Sequence, residues 1–95
     1  MTDIIYKTNG EVIETSPKNG TNYTLDELKE IVGGYIEIIH LTENKIMVIN
    51  DEGKLINLPH NENATILYRL CLDTTDFIVG DVLVYKIVNK IFEQN

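Results

Sequence analysis

Clusters of apolar and β-branched residues at the start of the chain predict a β-hairpin. Two β-rich runs, residues 4–8 and 11–15, flank the dipeptide Asn9-Gly10. This dipeptide is well suited to the two positive φ angles of a type I′ turn. The two runs are therefore expected to pair as antiparallel strands, and the turn-rich residues 16–21 connect them to the next element.

A helical pattern follows the hairpin. Thr24 and Glu27 have the spacing of a capping box, and Tyr23 can pack against Leu28. Apolar residues then recur at helical spacing, at Leu25, Leu28, Ile31 and Val32. Gly33-Gly34 predicts the end of this helix, because glycine after a helix adopts the left-handed conformation without steric cost.

Isoleucine-rich runs in the middle of the chain predict further strands. Residues 35–41 and 45–50 are separated by a short turn, so we expect antiparallel neighbours. A second turn at residues 50–53 leads to a short strand predicted over residues 54–58. Pro59 ends that strand because proline removes a ladder donor. Three sequential strands of this kind would form a meander.

The last part of the chain predicts a second helix and a long strand. Asn61 or Asn63 can cap the helix, and residues 73–76 would end it. Its apolar residues have the spacing i, i+3, i+4 and i+7, at Ala64, Leu67, Tyr68 and Cys71. Gly80-Asp81 then forms a turn, and residues 82–88 are the most continuous β-type run, which predicts a central strand.

The predicted order β-β-α-β-β-β-α-β indicates one α+β domain over residues 1–95, with a mostly antiparallel sheet and two short helices. The strand at residues 35–41 carries large apolar side chains on both faces, and two short helices cannot cover all of them. The sheet is therefore expected either to close partly into a barrel or to pair with a second copy. A two-fold homo-oligomer is favoured. Residues 89–95 are expected to add a helical turn or to fray.

Composition and charge restrict the class of function. The chain has 95 residues, a net charge of −7 and only 8 Lys and Arg residues. Such a chain would be repelled by a phosphate backbone, so nucleic-acid binding is not expected. The single cysteine, Cys71, lies between leucines, which predicts a buried thiol and a reducing, cytoplasmic location. The sequence lacks a signal-peptide pattern and a long apolar run, so no membrane association is expected.

Residues of catalytic type are too sparse to predict an enzyme. A nucleophile would need His40 or His60 beside it, and neither histidine has a second metal ligand at i+4. The acidic pairs Asp51-Glu52 and Asp73 with Asp76 fall in turn-like stretches, where carboxylates cap backbone N–H groups. We therefore expect no catalytic residue, no metal and no cofactor.

Four phrases between residues 31 and 84 resemble a family of small domains of unknown function found in phages, other viruses and bacterial mobile elements. They are Ile31-Val32-Gly33-Gly34-Tyr35-Ile36-Glu37, Asn50-Asp51-Glu52-Gly53-Lys54-Leu55, Leu58-Pro59-His60-Asn61 followed by Ala64-Thr65, and Ile78-Val79-Gly80-Asp81-Val82-Leu83-Val84. The phrases occur in the order and spacing of the family, and the N-terminal hairpin lies outside them. The resemblance implies a viral or mobile-element setting, in which small domains often interfere with host proteins or signals.

Polar residues within these phrases are the candidates for contact with a ligand or partner. One interpretation makes them turn and cap residues, with Tyr35 covering a sheet edge. The alternative is a polar and aromatic pocket for a small ligand, with three basic residues offsetting the negative charge of the chain. The predicted contact set is Tyr35, Glu37, Asn50, Glu52, Lys54, His60, Asn61, Thr65 and Arg69, and the residues predicted to be structural are Gly33, Gly34, Gly53, Pro59, Gly80 and Asp81.

Three functions stay open at this point. Small size, acidity and the sparse catalytic groups favour an interaction module that binds and modulates a host protein. The first alternative is a small-molecule binder that sequesters a nucleotide-type signal, and it predicts that Tyr35, Asn50 and Asn61 converge on one concave surface. The second alternative is a structural protein within a larger assembly.

Overall fold

Seven elements follow one another in residues 3–87, the residues that the computed structural model describes. The strands are β1 (Asp3–Tyr6), β2 (Val12–Thr15), β3 (Ile36–Thr42), β4 (Lys45–Asn50) and β5 (Val82–Lys86). The helices are α1 (Leu25–Val32) and α2 (Glu62–Leu72). Their order matches the prediction except for one missing strand. The predictions for residues 89–95, and for Val88 as the end of the last strand, lie outside the described residues.

The five strands form one antiparallel sheet in the order β2-β1-β5-β4-β3. β5 is the central strand, as predicted, and its Val82 and Leu83 are fully buried although they point to opposite faces. The α+β class and the antiparallel sheet are thus confirmed. The partly closed barrel is wrong, because β2 and β3 are the two outer strands of the described sheet and do not pair with each other.

One helix covers each face of this sheet. α1 lies on one face, where the buried residues are Leu28, Val32, Ile46, Val48 and Leu83. α2 lies on the other face, where the buried residues are Leu41, Met47, Ala64, Ile78, Val82 and Val84. Strands that are covered on both faces need apolar side chains at successive positions, which explains the continuous apolar runs of β4 and β5.

The predicted hairpin forms, but its turn differs from the predicted type I′ turn. The N–H of Lys7 donates to the carbonyl of Glu11 at 2.9 Å, and that of Gly10 donates to the carbonyl of Lys7 at 3.0 Å. Gly10 has a φ of 95°, whereas the non-glycine residues with positive φ in the described chain are Asn57 and Asp73. Asn9 therefore lacks the positive φ that a type I′ turn requires. The loop has three residues and ends on a left-handed glycine.

Residues 51–57 form consecutive turns instead of the strand predicted over residues 54–58. The N–H of Ile56 donates to the carbonyl of Glu52 at 3.0 Å, and that of Leu58 donates to the carbonyl of Gly53 at 2.9 Å. Backbone groups that are satisfied within the segment need no neighbouring strand. The predicted meander is therefore wrong, and Leu55 is left 82% exposed.

α1 begins and ends where the sequence predicts. The Thr24 hydroxyl accepts a hydrogen bond from the N–H of Glu27 at 3.2 Å, and the Glu27 carboxylate accepts one from the N–H of Thr24 at 3.1 Å. Gly33 follows the helix with a φ of 83°. Leu25 is 59% exposed rather than part of the packed stripe, because Leu28 and Val32 form the face that meets the sheet.

Thr24→Ala is expected to lower the free energy of unfolding by about 1 kcal/mol, because the N–H of Glu27 loses its side-chain acceptor. Urea denaturation followed by circular dichroism measures this change. Thr75→Ala, at an exposed threonine outside the helices, is the matched control and should leave the midpoint unchanged. An equal midpoint for the two variants would show that the capping box does not stabilise α1.

Candidate functional site

Asn50 is buried and fully used inside the protein. Its Nδ2 donates to the carbonyl of Val32 at 3.1 Å, and its Oδ1 accepts from the N–H of Glu52 at 2.8 Å. The amide also fills the space beside Gly34, where an added Cβ would lie 3.0 Å from Nδ2. Asn50 therefore joins the end of α1 to the turn that follows β4.

Asn61 has no exposed surface and caps α2. Its Oδ1 accepts from the N–H of Ala64 at 3.1 Å. Its Nδ2 donates to the carbonyls of Tyr6 and Gly80, at 2.9 and 2.8 Å. Each polar atom of the side chain has a partner within the protein, so Asn61 connects α2 to β1 and to the turn before β5.

Thr65 and His60 hold the segment before β5 next to the start of α2 through hydrogen bonds. The hydroxyl oxygen of buried Thr65 accepts from the N–H of Ile78 at 2.9 Å and lies 3.3 Å from Nε2 of His60. The His60 ring is half exposed and lies 5.8 Å from the Phe77 ring, between centroids. The two predicted contact residues therefore have structural roles in this part of the fold.

Three more residues of the predicted set, Tyr35, Arg69 and Glu52, make local contacts or are exposed. Tyr35 is 66% exposed, and Nζ of Lys29 lies 5.2 Å from its ring centroid. Arg69 donates to the carbonyls of Thr75 and Asp76 and so closes the segment after α2. Glu52 is exposed.

The side chains of Tyr35, Asn50 and Asn61 do not converge, although the backbone beside Tyr35 pairs with that of Asn50. Asn50 and Asn61 are occupied by backbone groups at different helix ends, and Tyr35 is exposed beside α1. The pocket predicted from these three residues therefore does not form.

The residues predicted to be structural occupy tight positions. Gly53 is buried, and an added Cβ there would lie 2.9 Å from Val79. The carbonyl of Pro59 accepts from the N–H of Gly80 at 2.8 Å. The Asp81 carboxylate accepts from the N–H of Thr8 at 2.9 Å, which ties the first hairpin to the start of β5.

A different concave surface of about 160 Å³ lies on the α2 face of the sheet, beside β3. We call it the β3 cleft. Its apolar wall includes Ile39, Ile49, Leu55, Tyr68 and Phe77, and its charged residues are Glu37, Asp51, Lys54 and Asp76. Three residues of the predicted contact set line this cleft, namely Glu37, Asn50 and Lys54.

The charges of the β3 cleft are mostly acidic. Nζ of Lys54 lies 2.6 Å from the Asp76 carboxylate and 4.3 Å from the Phe77 ring centroid. The hydrogen bond from Lys54, followed by that from the N–H of Phe77, holds the pKa of Asp76 below its ordinary value. Within residues 3–87, no cation lies within ion-pair distance of Glu37 or Asp51. The cleft therefore offers two carboxylates that have no cationic partner within the described residues.

The predicted contact set includes none of these residues of the apolar wall. Leu55 was assigned to a strand, and Tyr68 was assigned only to the core face of α2. The sequence does contain one indication of an exposed apolar surface. Leu55 and Phe77 are large apolar residues in turn-rich segments, where few positions allow burial. That signal does not show that the two segments lie side by side.

Neither a metal-binding cluster nor a membrane-spanning helix occurs in residues 3–87. There, no group of three side chains that could ligate a metal comes together. No helix of residues 3–87 is long and apolar enough to cross a membrane.

Comparison with models of protein families matches residues 1–91 to a family described as a domain of unknown function, DUF3846. The chain belongs to the DUF3846 family. The match to DUF3846 includes the N-terminal hairpin, which lies outside the four phrases that carry the resemblance in the sequence. No curated protein and no solved structure matches the chain. The function of this DUF3846 domain must therefore be inferred from its own surface.

Proposed function

We propose that this DUF3846 domain is a non-enzymatic interaction module that binds a segment of a partner protein at the β3 cleft. The proposal is carried by the apolar wall, in which Leu55 is 82% and Phe77 is 41% exposed. Large apolar side chains that gather at one concave surface are typical of interaction sites, whereas single exposed ones are common on any protein. The acidic residues beside the wall add selectivity for charge.

The nucleotide-type ligand is the weaker alternative. Glu37 and Asp51 would repel phosphate groups, and the charge of Lys54 is already balanced by Asp76. The cleft, at about 160 Å³, is also smaller than the range of roughly 300 to 1,000 Å³ that is typical of small-molecule pockets. A single side chain of a partner protein fits this volume better.

The proposal also includes the kind of partner and the cellular location. The resemblance to domains of phages, viruses and mobile elements supports a host protein as the partner and the cytoplasm of a host cell as the location. Occupation of a segment of that host protein would modulate its activity without any catalytic step.

A quantitative pull-down from host lysate tests the proposal with a matched pair of variants. Leu55→Ser removes an apolar side chain from the β3 cleft, whereas Leu70→Ser removes one that is 79% exposed and does not line the cleft. We expect the unchanged domain and the Leu70→Ser variant to retain the same saturable partner and the Leu55→Ser variant to lose it. The absence of any saturable partner, or equal capture by both variants, would overturn the proposal.

Self-association is a separate prediction, and we assign it to β2. Val12 and Ile13 lie next to each other on this outer strand and therefore point to opposite faces, where they are 54% and 38% exposed. Pairing of two copies through β2 would cover both and would leave β3 free. Light scattering over a range of concentrations should give a mass above that of one 10.8 kDa chain. A constant mass of 10.8 kDa would contradict the prediction.

A further inference from the structure

We infer that the partner segment binds as an additional antiparallel strand on β3 and directs one apolar and one basic side chain toward the β3 cleft. The inference rests on the proposed function and adds the conformation and the chemistry of the partner. It follows from the outer position of β3 among the described strands, from the side chains along this edge, and from cleft carboxylates that have no cationic partner within residues 3–87.

The hydrogen bond between Asp51 and Tyr35 shows which residues of β3 bond to β4 and which face away from it. The N–H of Asp51 donates to the carbonyl of Tyr35 at 2.8 Å, directly before the first residue of β3. In an antiparallel ladder, residues that bond to the neighbouring strand alternate with residues that face away from it. Ile36, Ile38 and His40 therefore direct their N–H and C=O groups away from β4.

Ile36, Ile38 and His40 lie on a sheet edge that has few of the features that keep edge strands from pairing with another chain. Among the described strands, β3 is outermost and has seven residues, whereas β2 at the opposite edge has four. Natural edge strands are commonly protected by lysine, proline or a β-bulge. β3 contains neither lysine nor proline, and its irregularity lies between His40 and Thr42, beyond the free groups. The edge from Ile36 to His40 is thus a template for another strand.

The side chains of an added strand would meet the cleft at two positions. Glu37 and Ile39 both line the cleft, so partner residues opposite them project toward it. Directly opposed residues in an antiparallel pair have Cβ atoms about 4.5 to 5.5 Å apart, which allows close side-chain contact. An apolar residue opposite Ile39 would pack against the apolar wall. A lysine or arginine opposite Glu37 would neutralise a carboxylate that has no cationic partner within the described residues.

The order of these two residues follows from the antiparallel direction. The partner meets Ile39 before Glu37, so it carries an apolar residue followed two positions later by a basic one. The residue between them lies opposite Ile38 on the α1 face, where Ile38 is 46% exposed. An apolar residue is favoured there as well.

A second copy of the chain matches this edge less well. β3 contains no lysine or arginine, so symmetric pairing supplies no cation for Glu37. A basic and apolar segment of another protein is therefore the occupant that the charges favour.

Amide chemical shifts of the ¹⁵N-labelled chain test this inference with the peptide Lys-Ser-Thr-Val-Ile-Lys-Val-Ser-Lys. Its Val-Ile-Lys sequence is placed opposite Ile39, Ile38 and Glu37. Saturable shifts are expected at the amides of Ile36, Ile38 and His40. Replacement of the central peptide lysine by glutamate should weaken binding about tenfold, and Glu37→Lys in the domain should reverse this preference.

N-methylated peptides distinguish strand addition from simple apolar contact. In the added strand, the N–H of the central isoleucine faces β3, whereas that of the preceding valine faces away. Methylation at the isoleucine should abolish binding, and methylation at the valine should preserve it. Equal binding of the two methylated peptides would refute strand addition.

The outcomes separate this inference from the proposed function. If the peptide shifts no amide of β3 at millimolar concentration, or shifts β2 instead, the inference is wrong. If the Leu55-dependent capture from lysate persists in that case, the interaction module stands and only its mode of binding is overturned. If the shifts at β3 follow the protein concentration without peptide, a second copy occupies this edge and the inference is also wrong.

Discussion

Asn61→Ala is expected to lower the free energy of unfolding by about 3 to 5 kcal/mol, because it removes a helix cap and the donor to two carbonyl groups, one buried and one part-buried. The side chain has no exposed surface, and it connects α2 to the carbonyls of Tyr6 and Gly80. Alanine supplies no replacement for any of these hydrogen bonds. A loss of this size is a large part of the stability of a typical domain.

Urea denaturation of Asn61→Ala, with Asn63→Ala as control, measures this effect. Asn63 was the second sequence candidate for the helix cap and lies two residues further on, inside α2. Its replacement should change the free energy of unfolding by less than about 1 kcal/mol. A similar loss in the two variants would show that the hydrogen bonds of Asn61 do not stabilise the fold.

The variant Asn61→Asp is expected to make the stability of the fold depend on pH in a way that tests the same hydrogen bonds. The aspartate keeps the capping oxygen but turns a carboxylate, instead of a donor, toward two carbonyl oxygens. Burial and these oxygens would raise the pKa of the new carboxyl in the folded state. The variant should therefore gain stability relative to the unchanged chain as the pH falls below that raised pKa, because the protonated carboxyl can donate.

Gly80→Ala is the second change with a large expected effect, a loss of about 2 to 3 kcal/mol from backbone strain and crowding together. Gly80 has a φ of 80°, and an added Cβ would lie 2.8 Å from Cδ1 of Leu58. The carbonyl of Gly80 also accepts from Asn61, so a shift of this turn would disturb the cap of α2.

Gly20→Ala separates the two causes. Gly20 has a similar φ of 85°, but nothing lies within 4 Å of an added Cβ. It should lose only about 1 kcal/mol, which is the expected strain of a left-handed alanine. Thermal and urea denaturation of the two variants give the comparison. Equal losses would mean that Leu58 moves aside freely and that crowding at Gly80 contributes nothing.

Short-range patterns predicted most of the elements. The capping box of Thr24 and Glu27 and the left-handed Gly33 act over a few residues, so the sequence contains all that is needed to place α1. The apolar spacing of α2 is equally local, and its Ala64, Leu67, Tyr68 and Cys71 do pack on the sheet. These predictions succeed because the interactions that form each element lie within that element.

The candidate site was predictable only in part. Glu37, Asn50 and Lys54 were selected and do line the β3 cleft, whereas Asn61 and Thr65 were selected and are buried. The amide of Asn61 bonds to Tyr6, which is 55 positions away along the chain. No local pattern shows whether a polar side chain is already used by such a distant backbone group.

The sequence by itself determined that the strands at residues 35–41 and 82–85 would be apolar on both faces and that the fold would be of the α+β class. Only the tertiary structure decided how those faces are covered. α1 and α2 pack on opposite faces of an open sheet, so the central strands are buried and Ile38 of β3 stays 46% exposed. The backbone of residues 51–57 likewise forms hydrogen bonds within its own segment, although part of it was predicted as a strand. The physical reason is that helix placement and strand pairing depend on contacts between distant residues, which a local pattern permits but does not specify.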